Sequence, residues 1–356
     1  MRGKRVRFLI FLMVLCIVAD IGFLLPKAAF CGNIPKVLSC TTYSVGSTGY
    51  SISMGLMEAV FKNEGIRVRV VPAGTDKAKI MPLKQGTMQL SLFTGAGQYF
   101  AIMGTGSFKD WGPQPLRLVY ACPTGAIAGM MVRASSGIKE LSDLKGKRVA
   151  LIPASPACKA LHEGYLAFGG LTWDDVNIVK VSSWGDAWRG VIDGSVDTAH
   201  CLVTSSVAYE LAASPHGIRW LPAPPENREG WSKLNKFCPF LHPYKAIQGA
   251  GISPNNPAQV ASYYYGLVCY PDLDEELVYK ITRGIWNGYE IYSSMHPALK
   301  RWTREGALET AYFLAPYHKG AVRFFKEIGV WTDKHEARQR ELLKMEAARM
   351  KKAKQR

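Results

Sequence analysis

Apolar and polar positions follow two periods along the chain, one typical of strands and one typical of helices. Segments with the two periods alternate. Residues 37–41, 66–71 and 89–93 are short runs with the length and alternation of half-buried β-strands. Between these runs, apolar residues recur every three to four positions, which is typical of one face of a helix. Strands that alternate with helices in this way predict an α/β sheet whose strands are mostly parallel.

The same alternation continues over the rest of the chain. A helix opens near residues 46–49, and Gly65 ends it. The Pro-rich residues 221–225 and the following residues 231–244 interrupt the pattern and are interpreted as loop. Further strands are predicted at residues 116–121, 127–132, 147–152, 177–181, 197–203 and 260–270, and further helices at residues 77–84, 97–103, 157–168, 185–193, 207–213 and 273–292.

Two α/β units follow from this order, with the second inserted into the first. We expect residues 34–124 and 245–333 to form the first lobe and residues 125–244 to form the second. Open α/β sheets bind ligands at the carboxyl ends of their strands. Two lobes that face each other across a central cleft close on a ligand by bending at a hinge.

Composition and charge narrow the class of protein. The chain has 356 residues, of which 48% are hydrophobic and 20% are charged, so it is neither disordered nor collagen-like. The formal net charge is +16, and much of the excess lies in residues 1–31 and 334–356. The middle has no dense Lys/Arg stripe interleaved with aromatic residues, so we expect no nucleic-acid partner. Residues 334–356 are interpreted as a basic, solvated helical tail.

The N-terminus has the pattern of an export signal. A basic start is followed by an uninterrupted apolar run at residues 8–19, and Asp20 then interrupts this run. We therefore expect a cleaved signal peptide at residues 1–31 and a periplasmic protein. The alternative is an uncleaved anchor at residues 8–25, which nearly reaches the length that spans a bilayer.

Cysteine spacing indicates no metal site. No C-x-x-C pair is present, and no histidine lies at zinc-ligand spacing from a cysteine. An oxidising compartment would allow disulfides, but the sequence does not choose among the possible pairings. The cysteines beyond the signal segment are Cys40, Cys122, Cys158, Cys201, Cys238 and Cys269.

Three segments resemble known sequence motifs. Residues 314–329 (LAPYHKGAVRFFKEIG) resemble the C-terminal signature of the TAXI-type solute receptors of tripartite ATP-independent periplasmic (TRAP) transporters. Residues 273–279 resemble a helix start of that family, and residues 138–149 resemble a segment shared by many type II periplasmic binding proteins. The resemblance covers about residues 36–332. It implies a two-lobed α/β fold of the type II periplasmic binding protein kind, and a monomeric receptor for small carboxylates or amino acids.

The resemblance also implies which loops bind the ligand. The family's first loop corresponds to residues 43–55, where Gly49 and Gly55 are kept and Ser51 and Ile52 replace an aromatic pair. The candidates from this loop are Tyr43, Ser44, Ser47, Thr48, Gly49 and Tyr50.

The family's other loops are kept less completely. In residues 73–79, Asp76 and Lys79 replace a serine and an asparagine, and in residues 95–99 an alanine replaces an acid. The glycine pattern of the fourth loop is absent. The candidates from these loops are Thr75, Asp76, Lys79, Gln98, Tyr99 and Ser155.

The residue types at these loops suit a small polar ligand. Residues 47–50 supply hydroxyls, backbone N–H groups and the positive end of a helix dipole, all of which favour a carboxylate. The alternative is an ordinary helix N-cap. Asp76 either caps the next helix or pairs with a ligand amine.

Candidates in the second half of the chain have equally ordinary alternatives. Arg133 follows an apolar strand and is either a planar partner for a carboxylate or a surface charge. Thr204 and Ser205 follow a strand and begin a helix, so they are candidates in the second lobe. Trp184 and Trp188 form either an apolar wall of the site or part of the core.

We therefore expect a receptor without catalysis, cofactor or metal. It would capture a small carboxylate- or amino-acid-like ligand and deliver it to the membrane subunits of a TRAP transporter. One alternative is an enzyme on the same fold, with Cys158 as nucleophile at a helix start and His162 as base. Another alternative is a ligand-sensing module for a signalling partner.

Overall fold

The computed structural model describes residues 37–355. The predicted signal peptide and the alternative anchor at residues 8–25 lie outside the described residues. Among residues 37–355, no helix combines the length and the apolar character that crossing a membrane requires.

Ten strands make one mixed sheet. They are β1 (Leu38–Thr42), β2 (Val68–Pro72), β3 (Leu90–Thr94), β4 (Arg117–Arg133), β5 (Arg148–Leu151), β6 (Asn177–Lys180), β7 (Thr198–Leu202), β8 (Ile218–Trp220), β9 (His242–Ala246) and β10 (Ala258–Cys269).

Helices follow most of these strands. The α-helices are α1 (Thr48–Glu64), α2 (Asp76–Lys84), α3 (Gly95–Met103), α4 (Pro156–Phe168), α5 (Trp184–Asp193), α6 (Ser206–Ala213), α7 (Arg228–Asn235), α8 (Glu275–Asn287), α9 (Tyr289–Tyr292), α10 (Arg304–Ala307), α11 (Lys319–Glu327) and α12 (Asp333–Lys354). Short 3-10 helices lie at Gly106–Trp111, Ala134–Ser136, Leu141–Leu144, Trp173–Asp175, Pro297–Arg301 and Thr310–Tyr312.

Strand order shows a two-lobed α/β fold. The main path of the sheet is β2-β1-β3-β10-β4-β7-β5-β6, with β8 beside β4 and β9 beside β10. The pairs β1–β2, β1–β3, β5–β6 and β5–β7 are parallel, and every pair that includes β4 or β10 is antiparallel. The prediction of mostly parallel strands is therefore correct within each lobe and wrong for the middle of the sheet.

Two long strands join the lobes. The predicted strands at 116–121 and 127–132 are one strand, β4, which has 17 residues, and β10 beside it has 12. Their register shifts where Cys122 and Ala126 face Tyr265 and Tyr263. Such an irregularity bends a strand. The predicted lobe boundary at residue 124 falls at this bend.

Local sequence explains where the helices begin and end. The hydroxyl of Ser47 accepts a hydrogen bond from the Tyr50 N–H at the start of α1, and Gly65 ends that helix with φ of 67°. A left-handed φ favours glycine because it has no Cβ. Asp274 is the N-cap of α8, as Ser47 is of α1. The predicted helix at 273–292 is divided at Gly288 into α8 and α9.

The segment interpreted as loop contains ordered elements. Residues 221–244 include α7 and the start of β9, and β8 lies just before them. Trp231 and Leu234 on α7 are buried, and Trp231 packs edge-on against Phe168 of α4 at 5.9 Å between ring centroids. The few apolar residues of α7 lie close to glycines and prolines. The hydrophobic periodicity therefore does not predict a helix there.

The C-terminal tail packs on the first lobe. The predicted solvated helix is the 22-residue helix α12, and Leu342 on it is buried. The guanidinium of Arg117 on β4 donates two hydrogen bonds to the Glu346 carboxylate, at 2.6 and 2.8 Å. Gln339 bonds both the backbone N–H and the carbonyl of Tyr317. Most residues of this helix are exposed, as expected for a solvated tail, but Arg117, Gln339 and Leu342 also fix it to the rest of the chain, which its narrow apolar stripe did not predict.

The six cysteines predicted to be in the mature chain are buried and free in the described structure. Burial raises the thiol pKa of Cys40, Cys122 and Cys201 to about 12. The possible disulfides left open by the sequence are absent from residues 37–355.

We predict that the Glu346→Gln variant lowers the free energy of unfolding by about 2 kcal/mol. The change leaves the guanidinium of Arg117 without its charge partner in a contact where the two side chains are only 12% and 15% exposed. That effect should lie between those of exposed and fully buried ion pairs. Chemical denaturation of the two proteins measures it.

The control is Glu58→Gln on α1, whose partner Lys62 lies in an exposed i,i+4 pair. This change should shift the free energy of unfolding by less than about 0.5 kcal/mol. Equal effects of the two substitutions would show that α12 does not stabilise the fold through Arg117.

Candidate functional site

Six helix N-termini converge on one region between the lobes. Each of β1, β2, β3, β5, β6 and β7 runs directly into a helix at its carboxyl end. This is the edge at which open α/β sheets bind ligands. The residues at the N-cap positions are Ser47, Thr75, Thr94, Ser155, Ser183 and Ser205.

A narrow cavity lies at this edge. Its volume is about 20 Å³, measured where the centre of a water molecule fits, which is room for about one water. A ligand of amino-acid size therefore enters only when the lobes or the wall side chains move apart. The cavity is lined by Tyr43, Ser47, Gly49, Asp76, Thr94, Ala157, Leu161, Trp184, Trp188, His200, Leu202, Tyr263 and Tyr265.

Polar groups on the first-lobe wall hydrogen bond to each other. The hydroxyl of Tyr43 lies 2.9 Å from Thr94 Oγ1 and accepts the Thr94 N–H. Gly49 is required by close packing, because a Cβ at this position would lie 2.4 Å from the Tyr265 hydroxyl. The tyrosines therefore form a tight aromatic wall against the first turn of α1.

A buried ion pair lies beside this wall. Asp76 and Lys79, one turn apart on α2, are fully buried, and Lys79 Nζ lies 3.2 Å from Asp76 Oδ1. The ammonium also lies 3.3 Å from the centroid of the Tyr43 ring, in a cation–π contact. Burial lowers the pKa of Lys79 to about 8, while Asp76 opposes the shift. Lys79 is therefore still mostly charged at neutral pH and balances the charge of Asp76.

Hydrogen bonds join the lobes across the cavity mouth. Ser155 Oγ on the second lobe donates to Asp76 Oδ2 at 2.6 Å. Thr48 Oγ1 lies 3.1 Å from the hydroxyls of both Thr204 and Ser205. His296 Nε2 is 3.1 Å from the carbonyl oxygen of Thr204. The structure therefore shows the closed arrangement of the two lobes.

Two neutral, buried histidines lie in the second lobe, and one of them, His200, lines the cavity. His162 Nδ1 is 2.7 Å from the Ala150 carbonyl oxygen, and its Nε2 accepts the backbone N–H of His200 at 2.9 Å. These contacts assign the proton to Nδ1 of His162. Burial lowers the pKa of His162 to about 4 and that of His200 to about 3. Both rings are therefore uncharged at neutral pH.

Two nitrogens in this wall lack hydrogen-bond partners. Trp184 Nε1 and His200 Nε2 are buried, and no atom of residues 37–355 hydrogen bonds to either. The neighbouring Trp188 differs, because its Nε1 donates to the His200 carbonyl at 2.9 Å. Buried polar groups are rarely left unpaired in folded proteins.

Most of the predicted site residues come together here. Those that line the cavity are Tyr43, Ser47, Gly49 and Asp76. Lys79, Ser155, Thr48, Thr204 and Ser205 lie directly behind it in the contacts just described. Ser44 lies at the contact between the lobes, close to Gly185. A Cβ atom added to Gly185 would lie 3.5 Å from Ser44 Oγ.

Other predicted residues lie away from the cavity. Gln98 donates to the Phe93 carbonyl and accepts from the Tyr264 hydroxyl, so it links β3 to β10 inside the core. Tyr99 packs against Phe240 with ring centroids 5.5 Å apart.

Three further predicted residues are also absent from the cavity wall. Arg133 lies at the end of β4, and its guanidinium packs against Gly194. A Cβ atom added to Gly194 would lie within 2.8 Å of that guanidinium. Tyr50 and Thr75 take part in helix capping, as backbone donor and N-cap respectively.

Sequence reasoning missed much of the wall. Thr94, Leu161, His200, Tyr263 and Tyr265 were not among the candidates. Their position in the sequence is the feature that could have indicated them. Thr94 ends a strand before a helix, whereas the two tyrosines belong to an aromatic strand whose pattern is typical of the core.

The alternative nucleophile pair lacks the required geometry. Cys158 Sγ lies 3.7 Å from His162 Nδ1, and that nitrogen is committed to the Ala150 carbonyl. Burial also raises the pKa of the Cys158 thiol to about 12. A thiolate nucleophile needs a lowered pKa and an available base. Within the described part of the chain, no three His, Cys, Asp or Glu side chains cluster as a metal site would need.

Family comparison agrees with this architecture. Residues 40–329 match the NMT1-like family. The chain belongs to the NMT1-like family. This membership, together with the two-lobed fold, supports a solute-binding protein of the periplasmic kind.

Solved structures show a more distant similarity. A periplasmic sulfonate-binding protein from Methylobacillus flagellatus is 15% identical, with 83% of this chain and 95% of that chain covered and a TM-score of 0.44. An alkanesulfonate-binding protein from Xanthomonas axonopodis pv. citri, bound to MOPS, is 15% identical, covers 82% and 84%, and has a TM-score of 0.46. An ancestral arginine-binding protein bound to arginine is 16% identical, covers 75% and 98%, and has a TM-score of 0.43. At such TM-scores, the similarities indicate nothing about what this chain binds.

We predict that thermal stability falls as the pH drops from about 6.5 to about 4. An unfolded histidine has a pKa near 6.5, whereas burial holds those of His162 and His200 at about 4 and 3. The unfolded state therefore binds more protons in this window, and each histidine costs up to about 1.4 kcal/mol of stability per pH unit. Melting temperatures across this range measure the effect.

The His200→Phe variant should show a shallower pH dependence, because one of the two protons is removed. The matched control, His216→Gln, changes an exposed side chain and should leave the dependence unaltered. A melting temperature that stays constant between pH 6.5 and 4 would contradict the neutral, buried state of the histidines.

Proposed function

We propose that this protein is an extracytoplasmic receptor that captures a small carboxylate- or amino-acid-like ligand between its lobes. The observation that carries the proposal is the cavity closed by hydrogen bonds between the lobes, at the carboxyl ends of the strands. The bonds from Ser155 to Asp76 and from Thr48 to Thr204 form only when the lobes meet. Ligand capture is then coupled to closure.

Helix dipoles support an acidic group on the ligand. The N-termini of α1, α4 and α5 contribute Ser47, Ala157 and Trp184 to the cavity wall. Each N-terminus carries a partial positive charge of roughly half an elementary charge. Anions bind at such positions without a dedicated cation. Arg133, the sequence candidate for this role, lies elsewhere.

We propose residues 34–124 and 245–333 as the first lobe and 125–244 as the second. The bend in β4 and β10 supports a hinge there, since both strands run through it. The second boundary falls within β9, which pairs with β10. Bending these strands would open the cavity without separating the sheet.

The partner proposed is the membrane subunits of a TRAP transporter. Support comes from the resemblance of residues 314–329 to the TAXI-type signature. In the structure this segment includes α11 and packs on the first lobe through hydrogen bonds between Leu118, Pro316 and His318. We also propose that the receptor is monomeric and that cleavage of its signal peptide releases it into the periplasm.

A binding screen tests the receptor function. A true ligand at a hundredfold excess over its Kd should raise the free energy of unfolding by about 2.7 kcal/mol. We expect such stabilisation from members of a library of carboxylates, amino acids and small aromatic compounds, read out as a shift in melting temperature.

The Ala157→Phe variant should abolish that shift, because the added ring is larger than the cavity that Ala157 lines and occupies the space into which the walls open for a ligand. A cooperative melting transition checks that the variant is folded. Lys159→Phe adds the same ring on the exposed side of α4 and should leave the shift intact. Stabilisation that survives in Ala157→Phe would place the ligand elsewhere and contradict the proposal.

The Cys158→Ala variant separates the receptor from the enzyme. In the receptor, ligand affinity should change less than about twofold, because the thiol is buried outside the cavity wall. In the enzyme, the variant would lose turnover of the compound found by the screen. Product formation by the unmodified protein that disappears in Cys158→Ala would overturn the receptor proposal.

A further inference from the structure

Two buried nitrogens in the cavity wall have capacity for a ligand. Trp184 is 5% exposed and His200 is 2% exposed, and both side chains line the cavity. Within residues 37–355, neither Trp184 Nε1 nor His200 Nε2 has a hydrogen-bond partner. An unpaired buried donor such as the indole N–H of Trp184 costs roughly 1–3 kcal/mol. A bound ligand with acceptor oxygens would remove that penalty, and would do the same at His200 in the tautomer that carries its proton on Nε2.

Several other polar side chains of the wall already have hydrogen-bond partners. Ser47 Oγ accepts the Tyr50 N–H, and Tyr43 pairs with Thr94. Trp188 Nε1 donates to the His200 carbonyl. Among the side-chain nitrogens of the wall, those of Trp184 and His200 therefore have capacity for the ligand's polar group, beside the hydroxyl of Tyr263.

The charge of the wall sets how many carboxylates it accepts. Asp76 is the charged side chain in the described cavity wall, and Lys79 behind it neutralises it at 3.2 Å. His200 is neutral. The remaining positive potential comes from helix N-termini, which suffice for one anionic group. A second carboxylate would be buried without a counter-charge, which is strongly unfavourable.

The rest of the wall is apolar or aromatic. Tyr43, Trp188, Tyr263 and Tyr265 surround the cavity, and Tyr43 meets Tyr265 edge-on at 5.9 Å. Aromatic faces favour an apolar or aromatic body on the ligand. Leu161 and Leu202 extend this apolar lining on the second lobe.

We infer that the ligand carries a single carboxylate on an apolar or aromatic body, and that Trp184 Nε1 and His200 Nε2 bind the carboxylate. This inference rests on the proposed receptor function and names the class of its ligand. Small aliphatic and aromatic monocarboxylates belong to this class, because both carboxylate oxygens of Asp76 are already paired and offer no partner to a ligand ammonium group. Dicarboxylates are excluded by the missing counter-charge.

Two buried tryptophans of the second lobe, one in the cavity wall and one outside it, provide a matched test of the binding role. Trp184→Phe and Trp231→Phe each remove an indole N–H and keep an aromatic ring. Trp184→Phe should weaken binding of benzoate or butyrate about tenfold to a hundredfold, as expected for a lost hydrogen bond to a charged group. Its melting temperature without ligand should not fall, because the lost N–H had no partner.

Trp231→Phe should do the reverse. It leaves the Pro224 carbonyl without its donor at a position outside the cavity wall, so the melting temperature should fall while affinity changes less than about threefold. Unchanged affinity in Trp184→Phe, or equal losses of affinity in the two variants, would overturn the role assigned to Trp184.

Size-matched pairs test the charge rule. Isothermal titration should show benzoate binding more tightly than phthalate, and butyrate more tightly than succinate, by at least tenfold. Tighter binding of either dicarboxylate, or no binding of either monocarboxylate at millimolar concentration, overturns the inference. If amines or dicarboxylates bind and Ala157→Phe blocks them, the receptor function stands and only this ligand class fails. If no compound of the library binds, the receptor function fails with it.

Discussion

The site depends on an ion pair that water does not reach. Asp76 and Lys79 are both fully buried, and a charge in such a place is tolerated only when it is paired and hydrogen bonded. Lys79 satisfies one carboxylate oxygen of Asp76, and Ser155 from the other lobe satisfies the second. When the lobes separate, that second oxygen loses its partner and must find water. The pair therefore links the electrostatics of the first lobe to the position of the second.

Neutrality has a consistent physical cause across the cavity. The histidines are uncharged because burial disfavours their protonated forms, and the thiol of Cys158 stays protonated for the same reason. A site built in this way has little capacity for acid–base or nucleophilic chemistry. It has instead hydroxyls, indole groups and helix ends, which are hydrogen-bonding groups suited to the proposed receptor function. The chemistry of the wall and the two-lobed fold therefore both favour the proposed receptor.

Mechanical continuity between the lobes comes from β4 and β10. The two strands pair with each other along their length, so the lobes share backbone hydrogen bonds, and the register shift near Cys122 and Ala126 is where we propose the hinge. The C-terminal helix is fixed to the start of β4 through Arg117, on the first-lobe side of that bend. None of its residues lines the cavity.

The sequence alone determined most of the elements and their order, because helix caps such as Ser47 and short apolar runs act over a few residues. It also located the loops of the first lobe, through their position before helices. It did not separate His200 or Tyr263 from ordinary core residues, since both lie in strands whose burial looks the same on either side of a sheet. It placed Gln98 at the site, whereas the bond to Tyr264 holds it in the core. Only the tertiary structure decided these cases, because the cavity exists where two distant segments meet, and which atoms stay unpaired there is a property of that meeting.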